Sequence, residues 1–219
     1  MRKFMMTIVL AFLFGSTAFA QAKWANFARY EQANAEVTVR PKAVFMGDSI
    51  TDGWYRQDAD FFTSNNFLGR GISGQVTSQM LVRFRRDVIA HKPKYVVFLG
   101  GINDIAKNQG DIALEDTFAN IVSMMELAKA NKIKPILCLL FPTTTIGWRP
   151  EIEDPLGKVT RLNAMLTEYA KANRIPLVEY LADADKSNGR LPKELSGDSI
   201  HPNLDGYKIM ETEILKYIK

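Results

Sequence analysis

Apolar residues in this chain fall in short solid runs separated by longer amphipathic stretches. The runs cover 42–46, 67–72, 95–99, 136–141 and 177–180. Each is short and continuous, which predicts a strand buried on both faces. Between them, apolar positions recur at helical spacing. Met80, Leu81, Phe84, Val88 and Ile89 make a stripe over 76–90, and Phe118, Ile121, Val122, Met125 and Leu127 make another over 114–130. Further helices are predicted over 155–173, with Pro155 in the first turn, and over 204–218. Trp24, Phe27 and Tyr30 also fall at helical spacing and predict a short N-terminal helix packed on the body.

Doubly buried strands alternating with amphipathic helices predict an α/β fold, a three-layer α/β/α sandwich around a parallel sheet. Periodicity leaves the strand order open. The sequence shows no internal repeat, low-complexity tract or second domain, so one domain is expected over 21–219.

The first twenty residues follow a different pattern. Arg2 and Lys3 precede an apolar run over 4–14, broken only by Thr7, and Ala18-Phe19-Ala20 follows. This predicts a secretory signal peptide cut after Ala20. The run is short for a hydrocarbon layer of about 30 Å, so no stable membrane insertion is expected after cleavage. Export to the periplasm or beyond the cell is expected, the signal being the same for both.

The chain is 47% hydrophobic, enough for a sizeable core. Its formal charge of +4 falls to about +2 without the leader's two basic residues, and no dense Lys/Arg run occurs. Nucleic acid is thereby excluded as a partner. The cluster Arg83-Phe84-Arg85-Arg86 reads as a solvated helix face, and His91 as an ordinary surface residue. Cys138, the only cysteine, reads as a small core residue on a strand.

In parallel α/β sheets, ligands bind beyond the carboxyl ends of the strands. The residues there are Gly47-Asp48-Ser49, Gly71-Ile72-Ser73-Gly74 and Gly100-Gly101-Ile102-Asn103-Asp104, with Asp198-Ser199-Ile200-His201-Pro202 before the last helix. Taken singly each is weak. Ser49 has the position of a helix N-cap, Gly74 that of a turn glycine, and Asn103 that of a turn residue. His201 says more, because Asp198 three residues upstream can reach its Nδ1 and leave Nε2 free as a base. Together they supply a nucleophile, a base and an orienting carboxylate. The N–H groups of Ser49 and Gly74 and the amide of Asn103 can act as oxyanion donors. Asp48 and Asp104 read as turn braces.

On these four ordered blocks the chain resembles the SGNH, or GDSL-type, hydrolases, from about Lys42 onward. Ile50 stands where the nominal tag has Leu. The resemblance implies a five-stranded, flavodoxin-like sheet and no metal or organic cofactor. It also implies a two-step acyl transfer with catalytic Ser49, His201 and Asp198 and an oxyanion hole of Ser49, Gly74 and Asn103. Within the family the chain is most similar to acylhydrolases like platelet-activating-factor acetylhydrolase and to carbohydrate acetylesterases.

Short loops between the blocks leave little material for a lid or a long acyl tunnel, which favours a small acyl group. With export, this points to O-acetyl groups on carbohydrates. Trp54 and, in the loop 142–150, Trp148 and Arg149 are candidate substrate contacts; Trp54 alternatively packs its helix on the sheet. A lysophospholipase or short-chain thioesterase would need a longer apolar slot, for instance between Phe141 and Met80. A non-catalytic glycan-binding protein on the same scaffold would have no use for five intact site residues. A phosphate binder would not place Asp48 in its anion loop.

Overall fold

The computed structural model describes residues 24–182 and 187–219. The leader predicted over 1–20 lies outside them. In chain order the elements are α1 (Glu31–Ala35), β1 (Ala43–Gly47), α2 (Ser49–Gln57), α3 (Ala59–Ser64), β2 (Phe67–Gly71), α4 (Thr77–Asp87), β3 (Tyr95–Leu99), α5 (Ile102–Ile105), α6 (Leu114–Ala130), β4 (Lys134–Cys138), α7 (Pro155–Asn173), β5 (Leu177–Val178) and α8 (Leu204–Leu215).

All neighbouring strands are parallel, in the order β2-β1-β3-β4-β5. The chain therefore builds outward from β1 in both directions, which opens a crevice at the carboxyl ends of β1 and β3. Register sets Gly47 beside Gly71 on one side and Leu99 on the other. The three turns that follow β1, β2 and β3 thus start at one edge.

β1 and β3 are buried at every position, which is why they read as unbroken apolar runs. Phe45 anchors an aromatic cluster, edge-on to Trp54 and Phe62 at centroid distances of 5.4 and 5.2 Å. Cys138 is buried on β4, and burial pushes its thiol up to about 12. On α6 the buried face is Thr117, Ile121, Met124, Met125 and Ala128, rotated slightly from the predicted stripe, with Phe118, Val122 and Leu127 at its margins.

Several predictions need correction. β4 ends at Cys138 and not at 141, because the Asn163 side chain of α7 takes both Leu140 backbone groups, each at 2.9 Å. The N-terminal segment is a 3-10 turn, Phe27–Tyr30, followed by α1, and Asn26 at φ 52 interrupts any continuous helix. None of these helical residues is fully buried. Arg85 and Arg86 are exposed as expected, but Arg83 is fully buried and hydrogen-bonded throughout. His91 is not a bare surface residue either. Its Nε2 lies 3.0 Å from Asn34 Oδ1, and partial burial lowers its pKa. Among the described residues no helix is long and apolar enough to cross a membrane.

Candidate active site

β1 delivers Gly47 to the sheet edge, and the chain turns at once into α2. A side chain at Gly47 would not fit: its Cβ would lie 2.2 Å from Thr51 Oγ1 and 2.4 Å from the Leu99 carbonyl. The N-cap of α2 is Asp48, whose Oδ1 accepts the Ile50 N–H at 3.0 Å. With Asp48 filling the cap, the Ser49 hydroxyl is released from that duty. It lies 2.7 Å from His201 Nε2.

His201 comes from the turn before α8. Ser199 at φ 67 bends this turn back on itself, and a bridge between Ser196 and Pro202 closes it. Asp198 Oδ2 meets His201 Nδ1 at 2.6 Å, while Oδ1 accepts the backbone N–H groups of Ile200 at 3.0 Å and His201 at 2.8 Å. Partial burial works to raise the Asp198 pKa, but these hydrogen bonds outweigh it and hold the carboxyl below its ordinary value. An ionised Asp198 accepts a hydrogen bond from Nδ1–H, so Nε2 presents its lone pair to the Ser49 hydroxyl. Residues 152 positions apart thus form one continuous hydrogen-bonded line.

The turns after β2 and β3 supply Gly74 and Asn103. Gly74 has φ +80, a conformation that disfavours any side chain there although the space around it is open. Asn103 is buried at 1% exposure. Its amide donates to the Gln75 carbonyl at 3.0 Å, and its Oδ1 accepts from Asn108 Nδ2 at 2.8 Å. This pairing fixes the amide's direction and leaves one N–H of the group uncommitted to these two partners. Asp104 braces the neighbouring turn. Its carboxylate accepts the Thr77 backbone N–H and hydroxyl at the start of α4, and burial raises its pKa to about 6.

The three predicted substrate contacts separate. Trp54 is 1% exposed and lies in the core, stacked between Phe61 and Tyr207, with its indole N–H on Glu211. It cannot touch substrate. Neighbouring Tyr55 is exposed but covers Gly69 in the middle of β2. Arg149 is not a free clamp. Its Nε and Nη2 donate to the carbonyls of Ala106 and Lys107, and Nη1 pairs with Glu151, so it fastens its loop to the end of α5. Trp148 does stand at the site, 40% exposed, with its ring 5.9 Å from the His201 ring and its N–H on Asn108 Oδ1.

Asn108 therefore holds both Asn103 and Trp148, and sequence reasoning overlooked it. Its only signal was the turn-forming run Asn108-Gln109-Gly110. Among the described residues no group of three or more His, Cys, Asp or Glu side chains is arranged to hold a metal ion.

Residues 45–209 match the GDSL-like Lipase/Acylhydrolase family. A crystal structure of a GDSL-like lipase from Bacteroides thetaiotaomicron is 46% identical over 89% of this chain and 98% of that one, with a TM-score of 0.85. A crystal structure of a Bacteroides fragilis protein assigned as an acylhydrolase is 48% identical, with the same TM-score, over 89% of this chain and 96% of that one. An acetylxylan esterase of Geobacillus stearothermophilus is 24% identical over 81% of this chain and 93% of that protein. The isoamyl acetate-hydrolyzing esterase of Saccharomyces cerevisiae is 23% identical over 70% and 69%. The match to a Bacillus subtilis lipoprotein, YqeF, is 34% identical but spans only 33% of that protein.

Proposed function

This chain belongs to the GDSL-like Lipase/Acylhydrolase family and is a carboxylic ester hydrolase, and from that premise we propose that it removes acetyl groups from carbohydrates through Ser49, His201 and Asp198. The observation that carries the reading is the line from Ser49 Oγ to His201 Nε2 at 2.7 Å and from His201 Nδ1 to Asp198 Oδ2 at 2.6 Å.

In this mechanism His201 Nε2 takes the Ser49 proton as Oγ attacks the ester carbonyl. The developing oxyanion is received by the N–H groups of Ser49 and Gly74 and the amide of Asn103. The imidazolium, steadied by Asp198, protonates the departing alcohol. Water then gives a proton to Nε2, attacks the acyl-enzyme and frees the acid, and Ser49 recovers its proton from His201.

A short acyl group is supported by the close packing behind the sheet edge. Phe141 and Met80, between which a long acyl slot would run, are both buried, and Met80 Cε fills the space over Gly100. Acetate is also the acid named for the acetylxylan and isoamyl acetate esterases among its relatives. The leader-like first twenty residues agree with an envelope or extracellular glycan as the source of the ester.

The test is a hydrolysis profile of purified protein on aryl esters from acetate to decanoate, beside acetylated oligosaccharides, with Ser49→Ala as control. Turnover is expected to peak at acetate, to release acetate from the oligosaccharides, and to vanish in Ser49→Ala. A peak at longer chains would make it a lipid acylhydrolase. Equal rates for wild type and Ser49→Ala would remove the assigned nucleophile.

A further inference from the structure

A cleft of about 430 Å³ adjoins the reaction centre, and the catalytic residues do not account for it. Three separate pieces of chain build it: the N-terminal arm with Trp24 and Asn26, the turn after β2 with Ser73 and Gly74, and the turn after α5 with Asn108 and Gln109. Gly74 belongs to both places, lining the cleft and standing in the proposed oxyanion hole. Trp24 and Asn26 lie before residue 45, where the family match begins.

The arm is held in place. Gln79 Nε2 donates to the Trp24 carbonyl at 2.6 Å, and Gln75 Nε2 to the Ala25 carbonyl at 3.0 Å. Ala25 itself is 1% exposed. The Trp24 indole N–H donates to Gln109 Oε1 at 3.1 Å, and the Trp148 indole N–H donates to Asn108 Oδ1, also at 3.1 Å. Two indoles, 39% and 40% exposed, therefore hang from consecutive residues of one turn. Asn108 in turn donates to the Gly74 carbonyl at 3.3 Å. Hydrogen bonds thus run from the cleft wall to the oxyanion turn and to the Trp148 ring beside His201.

The chemistry of the lining identifies the class of ligand. None of the described residues that line the cleft carries a charge. Its exposed members present an indole face, side-chain amides, a hydroxyl and backbone. A phosphate or carboxylate would call for a cation there, and an acyl chain for apolar walls. A neutral polyhydroxylated ligand matches: the C–H face of a sugar ring packs on an indole, and its hydroxyls bond to amides. Rings already immobilised through their N–H groups lose little further freedom on binding. The volume falls within the ~300–1,000 Å³ of small-molecule sites.

We propose that this cleft binds the sugar residues next to the acetylated one, on the alcohol side of the ester, with Trp24 as the stacking platform. The inference rests on the carbohydrate esterase reading and adds the leaving-group subsite to it.

The experiment compares acetylated xylo-oligosaccharides with 4-nitrophenyl acetate in wild type, Trp24→Ala, Trp24→Phe and Gln109→Ala, with folding checked by thermal melting. Trp24→Ala is expected to raise the oligosaccharide KM about tenfold or more while kcat changes less than about threefold. Trp24→Phe, which keeps a ring, should recover most of the loss. Gln109→Ala, on an exposed turn, should raise the KM by about three- to tenfold and carries the test if Trp24→Ala does not fold. An unchanged oligosaccharide KM in the folded variants would overturn the cleft and leave the esterase reading standing. Ser49-dependent cleavage of 4-nitrophenyl acetate with no acetate released from any oligosaccharide would overturn the carbohydrate reading, and the cleft with it.

Discussion

Arg83 Nη2 donates to the Gly47 carbonyl at 3.1 Å from a position with no exposure to solvent. The same guanidinium reaches the Arg70 carbonyl and Asp87 Oδ2, both at 2.9 Å, and Gln75 Oε1 at 2.6 Å. It therefore joins the ends of β1 and β2 at the points where the Ser49 and Gly74 turns begin. Removing one partner of a buried ion pair leaves the other uncompensated and costs about 3–5 kcal/mol. Arg83→Met is expected to lose stability of that order in urea denaturation. A loss under about 1 kcal/mol would show that the turns hold their places without it.

Asn108 and Asn103 make a second linked pair. Deleting one oxyanion donor costs about two to three powers of ten in kcat, so under the proposed mechanism Asn103→Ala should fall in that range with KM little changed. Asn108→Ala leaves the Asn103 amide on the Gln75 carbonyl but removes the bond that holds its Oδ1. A smaller loss is expected, roughly tenfold, since the donor is still present but less well aimed. Steady-state kinetics on an aryl acetate separates the two. Equal losses would mean that the bonds of Asn108 to the Gly74 carbonyl and the Trp148 indole matter to turnover as much as the Asn103 amide itself.

These two pairs also mark where the sequence stops being legible. Strands such as Tyr95–Leu99 could be read because both their faces are buried, which writes the burial into a local run. Three of the four site blocks could be read because each follows a strand, and parallel topology brings strand ends together; the fourth could be read because Asp198 and His201 stand three residues apart, within reach of one another on a tight turn. Arg83 could not, since its burial depends on carbonyls from two strands that only tertiary structure aligns. Trp54 misled for a related reason. Five residues beyond Ser49 at about 100° per residue, it lies roughly 140° around the helix, on the side facing the core. Nearness in sequence to Ser49 said nothing about which way it points.

Trp54 and Trp148 should consequently respond to substitution in opposite ways. Truncating a buried Trp costs about 3–5 kcal/mol, so Trp54→Ala should unfold at much lower denaturant. Trp148 is half-exposed on a loop, and Trp148→Ala should change stability by no more than about 0.5 kcal/mol. Its effect belongs to the site, as a several-fold rise in KM for acetylated oligosaccharides. Denaturation curves and kinetics on the two proteins decide the matter, and a stable Trp54→Ala would contradict the core assignment.

Asp48 sets up the last prediction. It is fully buried, Oδ1 caps α2, and Oδ2 has no hydrogen-bond partner. Burial raises its pKa from 3.8 to about 6. Between those values the folded protein holds a proton that the unfolded chain has released, so stability falls as pH rises through the window. Asp104, also raised to about 6, adds in the same direction. Asp198 acts with the opposite sign. Its depressed pKa stabilises above 3.8, and that contribution is lost only as pH drops below, through the folded value. Asp48→Asn keeps the cap oxygen but cannot ionise. Relative to this variant, the wild type should gain about 2 kcal/mol on moving from pH 7 to pH 4, most of the ~3 kcal/mol that a rise from 3.8 to about 6 is worth at 1.36 kcal/mol per pH unit. Urea denaturation of both proteins across that range measures it. A difference that stays flat with pH would mean that Asp48 is already charged at pH 4, with a partner for Oδ2 that stabilises the anion.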